Sequence, residues 1–244
     1  MGQPALRLPG LSVSPSLARI GCAGTIISID KPAGMTSFDV VAKIRRATGE
    51  ERVGHAGTLD PFATGVLIVG IGRGATRRLG EISRADKEYL TRVQLGVATD
   101  TYDVTGKIIS QSEAVLPAKS RIESVLRQFI GVISQTPPQF SAIKIKGRRA
   151  YKYARAGTQV TLNPRRVRID ALDLVEMTED GFWARVVCST GTYIRSLAND
   201  IGLALDCGAC LAELRRTRIG EFSLKAALPL DAFLNSYLQA VAAT

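Results

Sequence analysis

Asp60 lies in the stretch GHAGTLDPFATGVLIVGIGRGATR, residues 54–77, five residues after His55, the single histidine of the chain. A carboxylate in a loop rich in glycine and threonine can act as a nucleophile or as a general base. Proline follows Asp60 and pushes it toward extended geometry. Gly54, Gly57 and Gly65 let the backbone close tightly around it. An isolated Asp-Pro is usually a plain turn, but the glycine, threonine and histidine around this one favour chemistry. The apolar run 65–71 follows at once, then Arg73, Arg77 and Arg78. A carboxylate at the mouth of a buried strand, ringed by cations, suits a reaction on an anionic polymer.

Other residues could join it. Arg195, in CSTGTYIRSLANDIG (188–202), follows a strand and enters a helix beside Tyr193. An arginine there can pair with a carboxylate and keep it ionised, or it can be a solvated helix-face residue. Spacing leaves both readings open. Tyr89, at the start of a strand, is either core or a ring on which an unpaired base stacks. Lys144, Lys146, Arg148, Arg149, Lys152 and Arg155 alternate with Tyr151 and Tyr153. Arg165, Arg166 and Arg168 follow, and Arg215, Arg216 and Arg218 form a third group. Three such groups favour a phosphate-tracking surface over a merely solvated face.

Three weaker patterns carry no site. The glycines at 70, 72 and 74 lack the lysine and spacing of a phosphate loop. TDTYD, 99–103, offers Asp100 and Asp103 to a divalent ion but reads better as a polar turn. Cys207 and Cys210 form one CxxC without a second half, so they read as small buried thiols. No metal and no cofactor is expected.

These residues need a scaffold. The chain has 244 residues, 45% of them hydrophobic and 22% charged, as in a soluble globular protein. The net charge of +10 draws in polyanions. No apolar run reaches about 18 residues, so no membrane span is expected. Four cysteines are too few for a disulfide scaffold, which suits a reduced, cytoplasmic setting. Residues 1–24 read as a disordered extension and 25–244 as the folded, catalytic part.

Strands are expected at 26–29, 65–71, 89–95, 140–145, 167–175, 183–188 and 214–222. Ser37, Ser120 (with Glu123) and Thr192 are expected to cap helices that run to about 48, 129 and 205. A basic helix is expected at about 75–85 and a last one near 230–242. Strands and helices mix without strict alternation, which argues for an α+β fold with a mixed sheet.

Six ordered motifs together resemble the bacterial TruB-type tRNA pseudouridine synthases. They are DKPAGMTS (30–37), the Asp60 stretch (54–77), KEYLTRVQLGVATDTYDVTG (87–106), QTPPQFSAIKIKGRRAYKYARAG (135–157), CSTGTYIRSLANDIG (188–202) and CGACLAELRRTRIGEF (207–222). The resemblance implies the pseudouridine synthase fold: a mixed, mainly antiparallel sheet in two half-domains flanked by helices, with a central RNA-binding cleft. It implies conversion of the uridine at position 55 in the T-arm of tRNA to pseudouridine.

By motif position Asp60 matches the catalytic aspartate, Arg195 the arginine paired with it, Tyr89 the active-site tyrosine and Leu214 an apolar wall, with Tyr193 beside Arg195. His55 matches a histidine that fills space in the T-loop, and residues 137–165 match a mobile basic loop. RNA contacts are expected from His55, Arg73, Lys144, Lys146, Arg148, Arg149, Arg155 and Arg216. The resemblance implies that many relatives continue past this point into a small C-terminal RNA-binding domain, which is expected to be lacking here.

The implied reaction exchanges a C–N for a C–C glycosidic bond and needs neither metal nor cofactor. The implied partner is tRNA, through its T-arm stem-loop, with no membrane or protein partner and a monomeric enzyme. Two other readings stand beside it. One is an RNA chaperone that folds tRNA through the same surface; the other is a guide-RNA-dependent synthase.

Overall fold

Alternating burial along Lys87–Leu95 puts Lys87, Tyr89, Thr91, Val93 and Leu95 on one buried face of a strand. That strand lies inside a ten-stranded mixed sheet. The computed structural model describes residues 24–112, 116–145 and 147–242. The expected extension, except Gly24, and Lys146 therefore lie outside the described residues.

The chain runs β1 (Thr25–Lys31), α1 (Ser37–Thr48), β2 (Val53–Ala56), β3 (Thr64–Ile71), α2 (Arg73–Arg84), β4 (Lys87–Leu95), β5 (Val97–Thr99) and β6 (Ile108–Gln111). It continues through α3 (Lys119–Gln128), β7 (Gly131–Gln135), β8 (Lys144–Ile145), β9 (Arg148–Arg149), α4 (Ala150–Arg155), β10 (Arg165–Thr178) and β11 (Gly181–Cys188). Last come α5 (Ile194–Ala204), β12 (Ala209–Ile219), β13 (Phe222–Ser223), a 3₁₀ turn, β14 (Leu228–Pro229) and α6 (Leu230–Ala242).

The sheet order is β14-β1-β3-β12-β4-β11-β10-β7, with β2 added to β3 and β13 to β12. Among the described residues, the β1–β14 and β3–β12 strand pairs of this sheet are parallel and its other pairs antiparallel. The expected α+β class with a mainly antiparallel mixed sheet holds. One core cluster joins Tyr89, Val93, Phe182, Val186 and Leu211 to the apolar faces of α3 and α5. Another packs β1 and β3 against α1 and α6 through Ile29, Val40, Ile44, Leu67 and Phe233.

Backbone pairing is short at the seam where β12 joins β3. β12 pairs with β3 at Arg215↔Thr64 and Arg216↔Gly65, and Ile219 of β12 shares a core cluster with Val66 and Ile68 of β3. Gly65 has φ +98°, and a Cβ there would collide with the Arg216 carbonyl oxygen, so no other residue fits this crossing. The loop before β3, which carries Asp60, opens at this seam.

Four local expectations are corrected. Thr36, not Ser37, caps α1, in a reciprocal box with Asp39; the Ser37 hydroxyl is engaged by Leu59 instead. Ala118 precedes α3 with no side-chain cap, and Glu123 pairs with Lys119 at 3.8 Å. Tyr193, not Thr192, is the N-cap residue of α5. Residues 140–143 form a bend and irregular chain, not a strand, and their carbonyls serve Arg195, Tyr151 and Ala150; of the expected strand, Lys144–Ile145 is extended.

Candidate active site

The Asp60 loop is fixed from three sides. At its start, Gly57 takes φ +70° and its carbonyl accepts a 2.7 Å bond from Arg216 Nη2. In its middle, Ser37 Oγ accepts from the Leu59 N–H at 2.9 Å and donates to the Leu59 carbonyl at 3.2 Å. At its end, the Pro61 carbonyl accepts from the Gly34 N–H at 2.9 Å and from Lys31 Nζ at 3.2 Å.

Lys31 also donates to the carbonyls of Pro32 and Met35, both at 2.7 Å, and is fully buried. Burial lowers its amine to about 8, while the nearby Asp60 charge works the other way. The DKPAGMTS motif is thus a cradle for the loop that carries the carboxylate.

Arg195, 5% exposed, stands in the first turn of α5. A cation at a helix N-terminus opposes the helix dipole, and two carboxylates from elsewhere in the fold offset it. Nε lies 3.0 Å from Asp60 Oδ2 as an ion pair, although its N–H is not aimed along that line. Nη2 donates to Asp60 Oδ1 at 3.4 Å and to the Phe140 carbonyl at 2.9 Å. Nη1 donates to the Thr101 carbonyl at 3.0 Å and lies 3.4 Å from Asp103 Oδ2.

Asp103 is buried, and its other oxygen accepts bonds from Thr101 and from the Thr105 N–H, both at 2.9 Å. Gln135, from the end of β7, holds the start of α5. Its amide oxygen accepts from the Tyr193 N–H at 2.8 Å, and its Nε2 donates to the Tyr193 carbonyl at 3.1 Å.

The Asp60 side chain keeps 36% of its surface. It lies on the wall of a cavity of about 340 Å³, within the range of small-ligand sites. Burial is the dominant effect on its carboxyl and raises its pKa; the Arg195 charge opposes that, and Asp103 adds to it.

The opposite wall comes from the sheet. Tyr89 on β4 and Arg216 on β12 are register partners, and Leu214 pairs with Thr91. Tyr89 and Leu214 both face the cavity and are both buried. Burial raises the Tyr89 phenol, so it stays a neutral hydroxyl, with the Arg216 guanidinium against it. Tyr193 lines the same cavity, its ring 4.6 Å from the Arg165 guanidinium carbon.

A second cavity, about 640 Å³, meets the first at Asp60 and Arg195, with residues 140–142 lining both. His55, Phe38, Tyr151 and Arg155 line it. The His55 Nδ1 is buried without a hydrogen-bond partner among the described residues, and burial followed by the Arg216 charge lowers its pKa, which keeps the ring neutral at pH 7.

A carboxylate turned by a guanidinium toward a cavity with an aromatic and an aliphatic wall can attack, or take a proton from, a flat ring bound there. The sequence profile described as "TruB family pseudouridylate synthase (N terminal domain)" matches residues 45–194. The chain belongs to the TruB family. A second profile, "tRNA pseudouridylate synthase B C-terminal domain", matches residues 195–243. The boundary falls inside α5, and β12 of the second segment lies between β3 and β4 of the first.

A protein named tRNA pseudouridine synthase B from Mycobacterium sp. (strain KMS) is 49% identical over 216 residues, covering 87% of this chain and 72% of that protein. One of the same name from Thermobifida fusca (strain YX) is 46% identical, covering 86% and 74%. Among solved structures, a chain of a Cbf5-Nop10-Gar1 complex superposes with TM-score 0.69 at 31% identity, covering 90% of this chain. A chain of an H/ACA RNP bound to a substrate RNA containing 2'-deoxyuridine gives 0.66 at 30%, covering 88%. The TruB-family chain spans only 59% and 53% of those two solved chains.

The fold brings Asp60, Tyr89, Tyr193, Arg195 and Leu214 to one cavity. Lys144, Arg148 and Arg149 sit on the β8–β9 hairpin, and Arg155 on α4 beside the second cavity. Arg148 stacks on Tyr153 and Arg155 on Tyr151.

One expected RNA contact is corrected. Arg216 is fully buried, with Nε donating to the Val66 carbonyl at 2.7 Å, so it supports the cavity from within and offers no outer surface. Arg73 is exposed at the end of β3 opposite to the Asp60 loop, roughly 25 Å away along an eight-residue strand. Sequence reasoning missed Lys31, Asp103 and Gln135. Only Asp103 gave a signal, as a carboxylate in a turn dense with hydroxyls.

Proposed function

We propose that this protein isomerises uridine to pseudouridine in tRNA, with the uridine at position 55 of the T-arm as target and Asp60 as the reacting group. The observation that carries the reading is the Asp60 carboxylate, gripped by Arg195, on the wall of a cavity that Tyr89 and Leu214 also line. The family match and the relatives named tRNA pseudouridine synthase B support the substrate class.

In the reaction the C1′–N1 bond breaks, the C1′–C5 bond forms, C5 loses a proton and N1 gains one. Atoms and electrons balance within one nucleotide. The target must first leave the stacked loop, at a cost of a few kcal/mol. Contacts to His55, Lys144, Lys146, Arg148, Arg149 and Arg155 offset that cost, and Arg73 reaches RNA farther from the target.

Asp60 then works as a carboxylate: on C1′, on uracil C6, or on a ribose proton. Tyr89 stacks on the ring, Leu214 and Tyr193 confine it while it turns, and Arg195 favours the charged form that burial opposes. Residues 25–244 act as the catalytic unit, as a monomer in the cytoplasm, without guide RNA or protein partner.

The test is to incubate the purified protein alone with a T-arm stem-loop. Pseudouridine at the target position supports the reading. No product, or product only when a guide RNA is added, overturns it.

A further inference from the structure

Uracil carries no charge, yet the cavity holds a surplus of cations. Among the described residues, Arg195 answers the two carboxylates of the site, Asp60 and Asp103. Lys87, Arg165 and Arg216 also line the cavity and have no ion-paired carboxylate. Two of them are committed to the backbone. Lys87 Nζ donates to the Ser83 and Ala85 carbonyls at 2.9 and 2.7 Å. Arg216 donates to Val66 and Gly57, both at 2.7 Å.

Arg165 is different. Its Nη2 donates to the Gly191 carbonyl at 2.6 Å and its guanidinium carbon lies 4.6 Å from the centre of the Tyr193 ring. Its Nε is buried without a hydrogen-bond partner. The arginine three residues on makes the contrast: Arg168 pairs with Asp86 at 3.0 Å and Asp170 at 2.8 Å, and has no charge to spare. A guanidinium on the cavity wall, fixed by stacking and one carbonyl and with no carboxylate partner among the described residues, is pre-organised to donate to an oxyanion. The uncapped start of α5, next to Tyr193, adds a partial positive charge on the same wall.

A uridine within an RNA chain brings a phosphodiester on either side. We propose that Arg165 grips one of the two phosphates flanking the target nucleotide, so that the backbone is anchored while the base detaches and turns. This rests on the reading that the cavity takes a uridine of an RNA chain.

The experiment uses the T-arm stem-loop with a single methylphosphonate either 5′ or 3′ of the target, which deletes one charge and little else. Affinity is measured in an Asp60→Asn background, with and without Arg165→Met, across a salt series. Arg165→Met is expected to weaken binding by about tenfold and to reduce the salt slope by roughly one. One of the two methylphosphonates is expected to weaken binding by a similar factor when Arg165 is present and to have no effect when it is absent.

The proposal is overturned if neither methylphosphonate weakens the Arg165-containing protein, a result that needs no folded variant. It is also overturned if both cost the same with and without Arg165. Wild-type turnover of the unmodified stem-loop separates the two readings. If that reaction proceeds and the cycle fails, only the role of Arg165 falls; if it does not proceed, both do.

Discussion

Replacing Arg195 by lysine tests the site at its joint. The guanidinium makes five contacts at once: two to Asp60, one to Asp103, and one each to the Thr101 and Phe140 carbonyls. An ammonium has three donors in a tetrahedral array, so at least two of the five are lost. Each hydrogen bond to a charged group contributes about 1.5–3 kcal/mol. The loss is therefore on the order of 3–6 kcal/mol, shared between stability and transition state.

A displacement of the Asp60 carboxylate by about 1 Å is enough to lower the chemical step about 100-fold. The assay is single-turnover release of label from RNA carrying tritium at uracil C5, because that hydrogen leaves as the new bond forms. The expected outcome is kcat lower by about two orders of magnitude with RNA affinity little changed. The pH dependence has a definite sign. Burial already raises the Asp60 carboxyl and Arg195 is the chief counterweight. A weaker counterweight raises it further, so the acid limb of the rate profile moves to higher pH in the variant. A kcat within twofold of wild type, or an unmoved acid limb, refutes the reasoning.

Asp60→Asn should remove a pH-dependent cost from the fold. A carboxyl raised in the folded state costs stability once pH exceeds its unfolded pKa, so thermal melts from pH 4 to 8 should show the variant gaining on wild type as pH rises. Lys31→Met removes the Lys31 donor from the Pro32 and Met35 carbonyls and leaves the Pro61 carbonyl with the Gly34 N–H alone; a loss of about 3 kcal/mol in urea unfolding is expected, with lower kcat because the Asp60 loop is loosened. Gly65→Ala drives a methyl group into the Arg216 carbonyl at φ +98°, so a loss of about 3 kcal/mol or more is expected, and a melting temperature unchanged from wild type would contradict the seam described here.

Much of the fold was legible because local pattern and tertiary burial agree. The period-two run from Tyr89 to Leu95 and the apolar run at 65–71 became β4 and β3. Signals failed where a side chain or backbone group was taken by a distant partner. Ser37 looked like a cap, but its hydroxyl belongs to Leu59, 22 residues away. Residues 140–143 looked extended, but their carbonyls hold the site.

The pairing of Asp60 with Arg195, 135 residues apart, came from the ordered motifs and not from spacing. Arg216 shows the limit of reading charge from composition: in a basic run it looks like surface, whereas the register of β12 puts it inward beside Tyr89. Lys31 was hidden for the same reason, as a lysine in a glycine-proline turn is ordinarily solvated.

The central claim is that the Asp60 carboxylate performs the rearrangement while the rest of the site binds and confines the nucleotide. Comparing wild type with Asp60→Asn for pseudouridine formation and for affinity toward the same T-arm stem-loop tests it most directly. The account predicts no detectable product from the variant and an affinity within a few-fold of wild type. Product formed by the variant at a rate near that of wild type would contradict it.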